Sequence, residues 1–365
     1  MTQAVALAQQ ASTGVSQGFK NRIINGAMVI DQRNAGAQVT NTAGSVYTLD
    51  RWVMYGSQAS KFTLQQNQGS VTPPVGFTNY LGCTSSSAYS VGASDYFGFQ
   101  QIVEGLNMSD LAWGTANAKS VSLSFWVRSS LTGTFGGALQ NSGATYNFPF
   151  SYTISSANTW TYITVPITGP TSGTWTVSNT AFVFVAFSLG SGSTYTTTGG
   201  AWTSSVAFQA TGSTSVVGTN GATFYITGVQ LEVGSTATSF DYRPYGTELM
   251  LCQRYYQSIA YTANSILAVG LCTTTTNQEC TIILLQTMRS NPTITLPSAG
   301  QTSGTISFLT SSGSYPASTG THAVNNPSVN NFVISGGSYS ASFVQGNTTW
   351  LYPNGNVTIR ASAEL

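Results

Sequence analysis

Between Phe224 and Ser258 the spacing of large apolar residues changes from two to three or four, and the rest of the chain is organised around that change. Phe224 to Glu232 (FYITGVQLE) alternates large apolar with small or polar residues, the pattern of a strand with one buried face. Gly234 breaks the pattern, and Phe240 to Tyr245 is an aromatic connector that contains Pro244. From Thr247 to Ser258 the period is helical, through Leu249, Cys252, Tyr255 and Tyr256. Glu248 sits in the first turn and Arg254 near the end, where the helix dipole favours them. A closing strand followed by a helix is how a β-domain ends and hands over to a second unit.

Upstream, period-2 or apolar runs predict strands at Ile23–Ile30, Tyr47–Leu64, Phe97–Val103, Val121–Arg128, Phe135–Leu139, Asn147–Ile154, Thr159–Ile167 and Ala181–Leu189. Val121, Leu123, Phe125 and Val127 share one face of the cleanest of these. Residues 68–95 read as loop, and Glu104 to Trp113 as a turn-helix connector. Strands separated by Gly- and Ser-rich turns, with little helix, predict an all-β fold: a two-sheet jelly-roll-like sandwich. After the helix, shorter runs predict a second, smaller β-sandwich, with strands at Ser265–Cys272, Cys280–Gln286, Thr293–Leu296, Thr305–Leu309, Asn331–Ser335, Tyr339–Phe343 and Asn356–Ala361. The expected organisation is an N-terminal segment 1–18, a sandwich 19–245, a linker helix 246–258 and a C-terminal β-domain 259–365. Residues 2–14 read as a short Ala- and Gln-rich helix, either a frayed terminus or an anchoring and trimer-contact segment. No repeat of 20 to 50 residues is visible, which argues against a propeller or solenoid.

Charged residues make up 6% of the chain, against roughly 25% in ordinary soluble domains, and the net charge is +1. Lys and Arg are scattered, so the basic face that nucleic acid requires is missing. The chain has no apolar run of the ~18 residues that a membrane helix needs. MTQAVALAQQASTG has no basic n-region and is not read as a signal peptide. Hydroxyls and amides carry solvation instead, which suits chains whose surface is covered by neighbours. The four cysteines show no CxxC spacing. Cys272 and Cys280 could face each other across a hairpin, but free buried thiols are the expectation.

Catalytic chemistry is sparse. The single histidine, His322, is read as an exposed residue of a Gly/Thr/Asn loop with a structural or incidental role; a triad or zinc site would have to use it, and neither a GxSxG nor a second imidazole stands nearby. Asp31, Asp50, Asp95, Glu104, Asp110, Glu232 and Asp241 could form glycosidase pairs only through the fold. Glu104 and Asp110 are close in sequence, but Asp110 is placed to cap a helix at Leu111. No catalytic residue is assigned and the chain is read as a non-enzyme.

Several stretches resemble a sandwich module of bacteriophage tail-fibre and other virion structural proteins. They are VQLEVGSTATSFDYRPYGTELMLCQRYYQ, NRIINGAMVIDQRN (Asn21–Asn34), YTLDRW (Tyr47–Trp52), Phe99–Phe135, the strand at Trp160, and the terminal ASAEL. The order of elements is also similar to sandwich carbohydrate-binding modules. The resemblance implies that Asp50-Arg51-Trp52 is buried packing. It also implies that the chain assembles in a bacterial cytoplasm into a virion, at the tail or head surface, joined to other virion proteins by its N-terminal segment. The expected partners are two further copies in a homotrimer and a host-surface polysaccharide, without nucleic acid and without membrane insertion. No cofactor is expected. A structural calcium ion, common in such modules, would need an acidic residue in the closing strand, where this chain has Thr227-Gly228.

Sugar recognition needs aromatic faces beside amides and hydroxyls. Trp175, Tyr195, Trp202, Tyr315, Trp350 and Tyr352 stand beside loops, whereas Trp52, Phe125, Trp126 and Trp160 are read as core. TTWLYPNGN (Thr348–Asn356) and the preceding Asn347 supply the candidate glycan site: Trp350 and Tyr352 to stack a ring, and Asn347, Asn354 and Asn356 to bind its hydroxyls. Three functions fit these features: a tail fibre that binds a host glycan without cleaving it, a head fibre or capsid decoration protein, and a secreted carbohydrate-binding module of a polysaccharide-degrading system.

Overall fold

The computed structural model describes residues 19–296, 306–310, 313–316, 321–337, 343–353 and 355–365. The helix expected over residues 2–14 and most of the strand expected at Tyr339–Phe343 lie outside them. The chain divides into two units, Met1–Glu248 and Leu249–Leu365. Among the described residues the one α-helix is Tyr245–Gln253, and the rest is β-structure with short 3-10 turns.

The first unit is a sandwich of two six-stranded sheets. One runs Val39–Thr40, Phe62–Gln66, Leu81–Ser85, Thr223–Val233, Val121–Ser129, Thr161–Ile167 in spatial order. The other runs Gly44–Tyr47, Trp52–Gly56, Tyr96–Glu104, Ala181–Ser191, Gly133–Asn141, Asn147–Ile154. Every pairing within them is antiparallel. Alternation then turns one face of each strand into a common core: Val121, Leu123, Phe125 and Val127 are all buried. Phe125 meets Tyr152 and Phe187 edge-on at 5.1 Å each, bridging the sheets.

The structure departs from the predicted strands at instructive places. Ile23–Ile30 forms no strand; Asn25 and Met28 adopt positive φ, and the segment turns under the closing strand. Its bonds are irregular: Arg22 N donates to Leu231 O at 2.8 Å and Val229 N to Gly26 O at 2.9 Å. The run read as one strand from Tyr47 to Leu64 is broken at Thr48–Arg51 and Ser57–Lys61. A strand at Leu81–Ser85 lies inside the stretch read as loop. The Glu104–Trp113 connector holds two 3-10 turns, and Asp110 caps neither; it pairs with Arg22 at 2.7 Å. Trp126 and Trp160 are half-buried and not core.

The motif residues gather into one buried polar clasp. Asp50 accepts from Gln32 N at 2.6 Å and Gln32 Nε2 at 2.7 Å, and Trp52 Nε1 donates to Asn25 O at 3.1 Å. Asp50, Arg51 and Trp52 are buried, as expected. Arg243 donates to the carbonyls of Asn21 and Ile23 and to the Glu248 carboxylate, which in turn accepts from Asn25 N. Lys20 N and Asn21 N both donate to Asp241. These bonds satisfy a stretch of backbone that has no ladder partner.

Gly26 is the tightest point: a Cβ there would lie 2.1 Å from Val229 O. Gly26→Ala is expected to push the N-terminal segment off the closing strand and destabilise the first unit by about 1–3 kcal/mol, read as a lower denaturant midpoint at unchanged slope.

The helix Tyr245–Gln253 ends sooner than its apolar spacing predicts, because Tyr256–Tyr261 pairs as a strand with Val357–Ser362. The second unit is a smaller sandwich. A three-stranded sheet (Tyr256–Tyr261, Val357–Ser362, Thr293–Thr295) shares a core with a seven-stranded one. The latter runs Gly313–Pro316, Ile306–Thr310, Thr348–Pro353, Ala268–Cys272, Gln278–Ile283, Asn331–Gly337, Thr321–Asn325 in spatial order. All four cysteines are buried and none is in a disulfide. Burial pushes the Cys280 thiol up to about 12.

Candidate functional site

Thr348–Pro353 is an interior strand of the seven-stranded sheet, not the loop that the sequence suggests. It is bonded on one side to Ala268–Cys272 and on the other to Ile306–Thr310. Thr349, Leu351 and Pro353 face the core, and Thr349 Oγ1 donates to Gln278 Oε1. The period of two therefore sends Trp350 and Tyr352 to the opposite, outer face, both half-buried. Trp350 stands opposite Val269 and Leu309, and Tyr352 opposite Ser307.

A turn completes one wall. Asn264 adopts φ +62°, and its N–H donates to Pro353 O at 2.8 Å. Ser265 Oγ donates to Thr262 O at 2.7 Å, and Leu267 N returns to Leu351 O at 2.8 Å. Asn264, Ile266, Leu309, Trp350 and Tyr352 line a hollow of about 580 Å³. Its lining is apolar except for an amide and a phenol, and carries no charge. This combination can stack a ring and hydrogen-bond its edge, and among the described residues its lining holds no carboxylate, imidazole or amine.

Of the sequence candidates, Trp350 and Tyr352 meet here. Asn347 and Asn356 are not among the lining residues: the Asn356 oxygen is taken by Ala263 N at 3.1 Å, and Asn347 N donates to Val344 O within a turn. Asn354 and the Tyr315 side chain lie outside the described residues. Asn264, Ile266 and Leu309 escaped sequence reading, since cross-strand register and one left-handed turn put them there.

The other loop aromatics pack among themselves. Trp175 lies 4.8 Å from Trp113 and 5.4 Å from Trp202, and Trp202 stacks on Tyr146 at 5.5 Å. Tyr195 packs on Tyr96 and Phe208. His322 is not an exposed loop residue; it is buried in the strand Thr321–Asn325 and stacks on Phe308 at 5.4 Å.

The carboxylates serve the scaffold. Glu232 accepts from Thr238 and Gln230, and Asp95 from Ser57, Tyr89 and Gly92. Among the described residues no three His, Cys, Asp or Glu side chains come together as metal ligands. At the closing strand, where calcium would need a carboxylate, Thr227 Oγ1 donates to Asn79 O at 2.7 Å and Gly228 has no side chain. Those residues do not fit the ion.

No protein-family model matches the chain, and no curated protein matches it. Among solved structures, similarity is found to a carbohydrate-binding module of family 4, at 16% identity, covering 57% of this chain and 98% of that one, with a TM-score of 0.29. A putative sugar binding protein from Bacteroides thetaiotaomicron is similar at 13% identity over 59% of this chain and 100% of that one, with a TM-score of 0.33. The enzymatically active domain of tailspike protein 4 from bacteriophage CBA120 is similar at 12% identity over 59% of this chain and 22% of that one, with a TM-score of 0.29.

Proposed function

We propose that this chain is a structural protein of a bacteriophage particle, a homotrimeric tail fibre that binds a host-surface glycan and leaves it intact. The observation that carries the reading is the outward pair Trp350 and Tyr352 in an uncharged hollow closed by Asn264 and Ile266. An uncharged hollow with ring faces suits the apolar face of a pyranose, and the amide and phenol suit its hydroxyls. The resemblance of Asn21–Asn34, Tyr47–Trp52 and Val229–Gln257 to virion modules supports the phage role. Ile283 and Leu285, 76% and 60% exposed, support a covered surface between copies. A head fibre would use the same hollow and differ only in what its N-terminal segment joins. A secreted carbohydrate-binding module would share the hollow but label no particle.

Labelled full-length protein, titrated onto a panel of bacterial strains, is expected to bind at least one strain saturably. The purified surface polysaccharide of that strain is expected to compete. Binding that polysaccharide does not displace, or binding to no strain, contradicts the reading.

A further inference from the structure

The first unit carries an aromatic hollow of its own, independent of Trp350. A sandwich sheet normally turns polar residues outward. Here Trp126 and Tyr162 stand directly opposite each other on neighbouring strands of one sheet, with ring centroids 5.3 Å apart and both side chains on its outer face. Beside them the closing strand bulges between Thr227 and Gln230, where Gly228 takes φ +61°. A Cβ on Gly228 would lie 2.6 Å from the Phe77 ring, so glycine makes the seat on which Phe77 rests.

Phe77, Phe240 and Tyr242 form a wall of three mutually packed rings, with centroids 4.9 to 5.5 Å apart. Floor and wall enclose about 420 Å³, within the range of about 300–1,000 Å³ found for small-ligand sites. Tyr162 and Tyr242 are 43% and 57% exposed at the mouth. Ser124, Thr238 and Ser239 add hydroxyl and backbone groups to the lining, which among the described residues holds no Lys, Arg, His, Asp or Glu.

We infer that this hollow is a second saccharide site, and that its ligand is a neutral pyranose chain. Ring faces on two sides fit the flat apolar faces of a sugar. The absence of Lys, Arg, Asp and Glu from the lining disfavours an acidic or basic ligand, which would be desolvated there without a partner. The site rests on residues of the first unit alone and goes beyond the Trp350 reading.

The test uses full-length protein labelled with fluorotryptophan, its resonances assigned by Trp126→Phe and Trp350→Phe. The probes are cellohexaose, maltohexaose and chitohexaose, with hexagalacturonate as the charged control. At least one neutral hexasaccharide is expected to shift the Trp126 resonance with a Kd of about 0.1–1 mM. Tyr162→Ala and Tyr242→Ala, both at exposed positions, are expected to weaken that titration about tenfold each, the ~1.4 kcal/mol of one ring contact. Trp350→Ala is expected to leave it unchanged, which separates this site from the one in the second unit. A Trp126 signal unmoved by all three neutral probes overturns the inference. So does a shift that survives both tyrosine substitutions, and equal affinity for hexagalacturonate overturns the neutral ligand class.

Discussion

Arg243→Leu lowers the thermal midpoint of the first unit by about 6–20 °C, corresponding to about 3–5 kcal/mol. The Arg243 side chain is 3% exposed and its Glu248 partner 10%, with Nη1 at 3.2 Å from Oε1. The same guanidinium donates to the backbone carbonyls of Asn21 and Ile23 and lies 5.0 Å from the Phe19 ring centre. Leucine leaves one buried carboxylate and two carbonyls without this donor, and the N-terminal segment has no ladder to fall back on. Six of the seven tryptophans lie before Glu248, so intrinsic fluorescence reports this unit. Arg128→Leu is the control: its Nε donates to Asn158 O in an exposed setting, and a loss within about 1 kcal/mol is expected. Arg243→Leu melting within about 2 °C of wild type would show that the clasp contributes little.

Trp350→Ala is expected to reduce binding to a glycan-bearing surface by about 10²–10³-fold, while binding of a single soluble repeat unit falls only about tenfold. In the proposed trimer three weak sites engage a surface together, so a modest loss at each is compounded. Trp350 is half-buried, and its strand is held by backbone ladders on both sides, so the fold is expected to survive the change. Light scattering on both proteins checks this: each is expected at three times the 38.3 kDa chain mass. Equal surface binding by a folded trimeric variant removes the site, and a 38.3 kDa particle removes the avidity.

Strands with a strong apolar alternation were legible in the sequence. Val121–Ser129, Asn147–Ile154 and Thr223–Val233 appear within a residue or two of where the pattern puts them. Their buried faces are large and β-branched or aromatic, so local pattern and tertiary demand agree. Tyr256–Tyr261 was hidden, because Cys252, Tyr255 and Tyr256 continue a helical spacing. Only a partner strand about a hundred residues away, Val357–Ser362, makes the extended form the better one. Thr348–Pro353 was hidden differently: Pro353 and the following Asn-Gly read as loop, while Thr349 on the core side is polar. Its burial is tolerable because Gln278 and the Leu309 carbonyl satisfy its hydroxyl.

The site was legible in part for the same reason. Trp350 and Tyr352 share a face by period two, which sequence alone contains. Leu309 and Asn264 reach them by register and by a left-handed turn, which it does not. The polar clasp was visible only as motif residues in three separate stretches. Asn21, Asn25, Asp50 and Arg243 are separated in the chain; Asn25, Asp50 and Arg243 satisfy backbone outside the ladders, and Asn21 ties the N-terminal segment to Val229 O of the closing strand.

The most direct measurement follows the length of a bound polymer. Surface polysaccharide from a strain that binds the protein is incubated with the full-length chain, and its size distribution and reducing ends are followed over a day. The expected result is a complex that co-elutes at high mass, with polymer length and reducing ends unchanged, because the hollow around Trp350 and Tyr352 holds no acid–base pair. Shortening of the polymer with release of reducing ends, or failure of the two to co-elute, would contradict a protein that binds a glycan and leaves it intact.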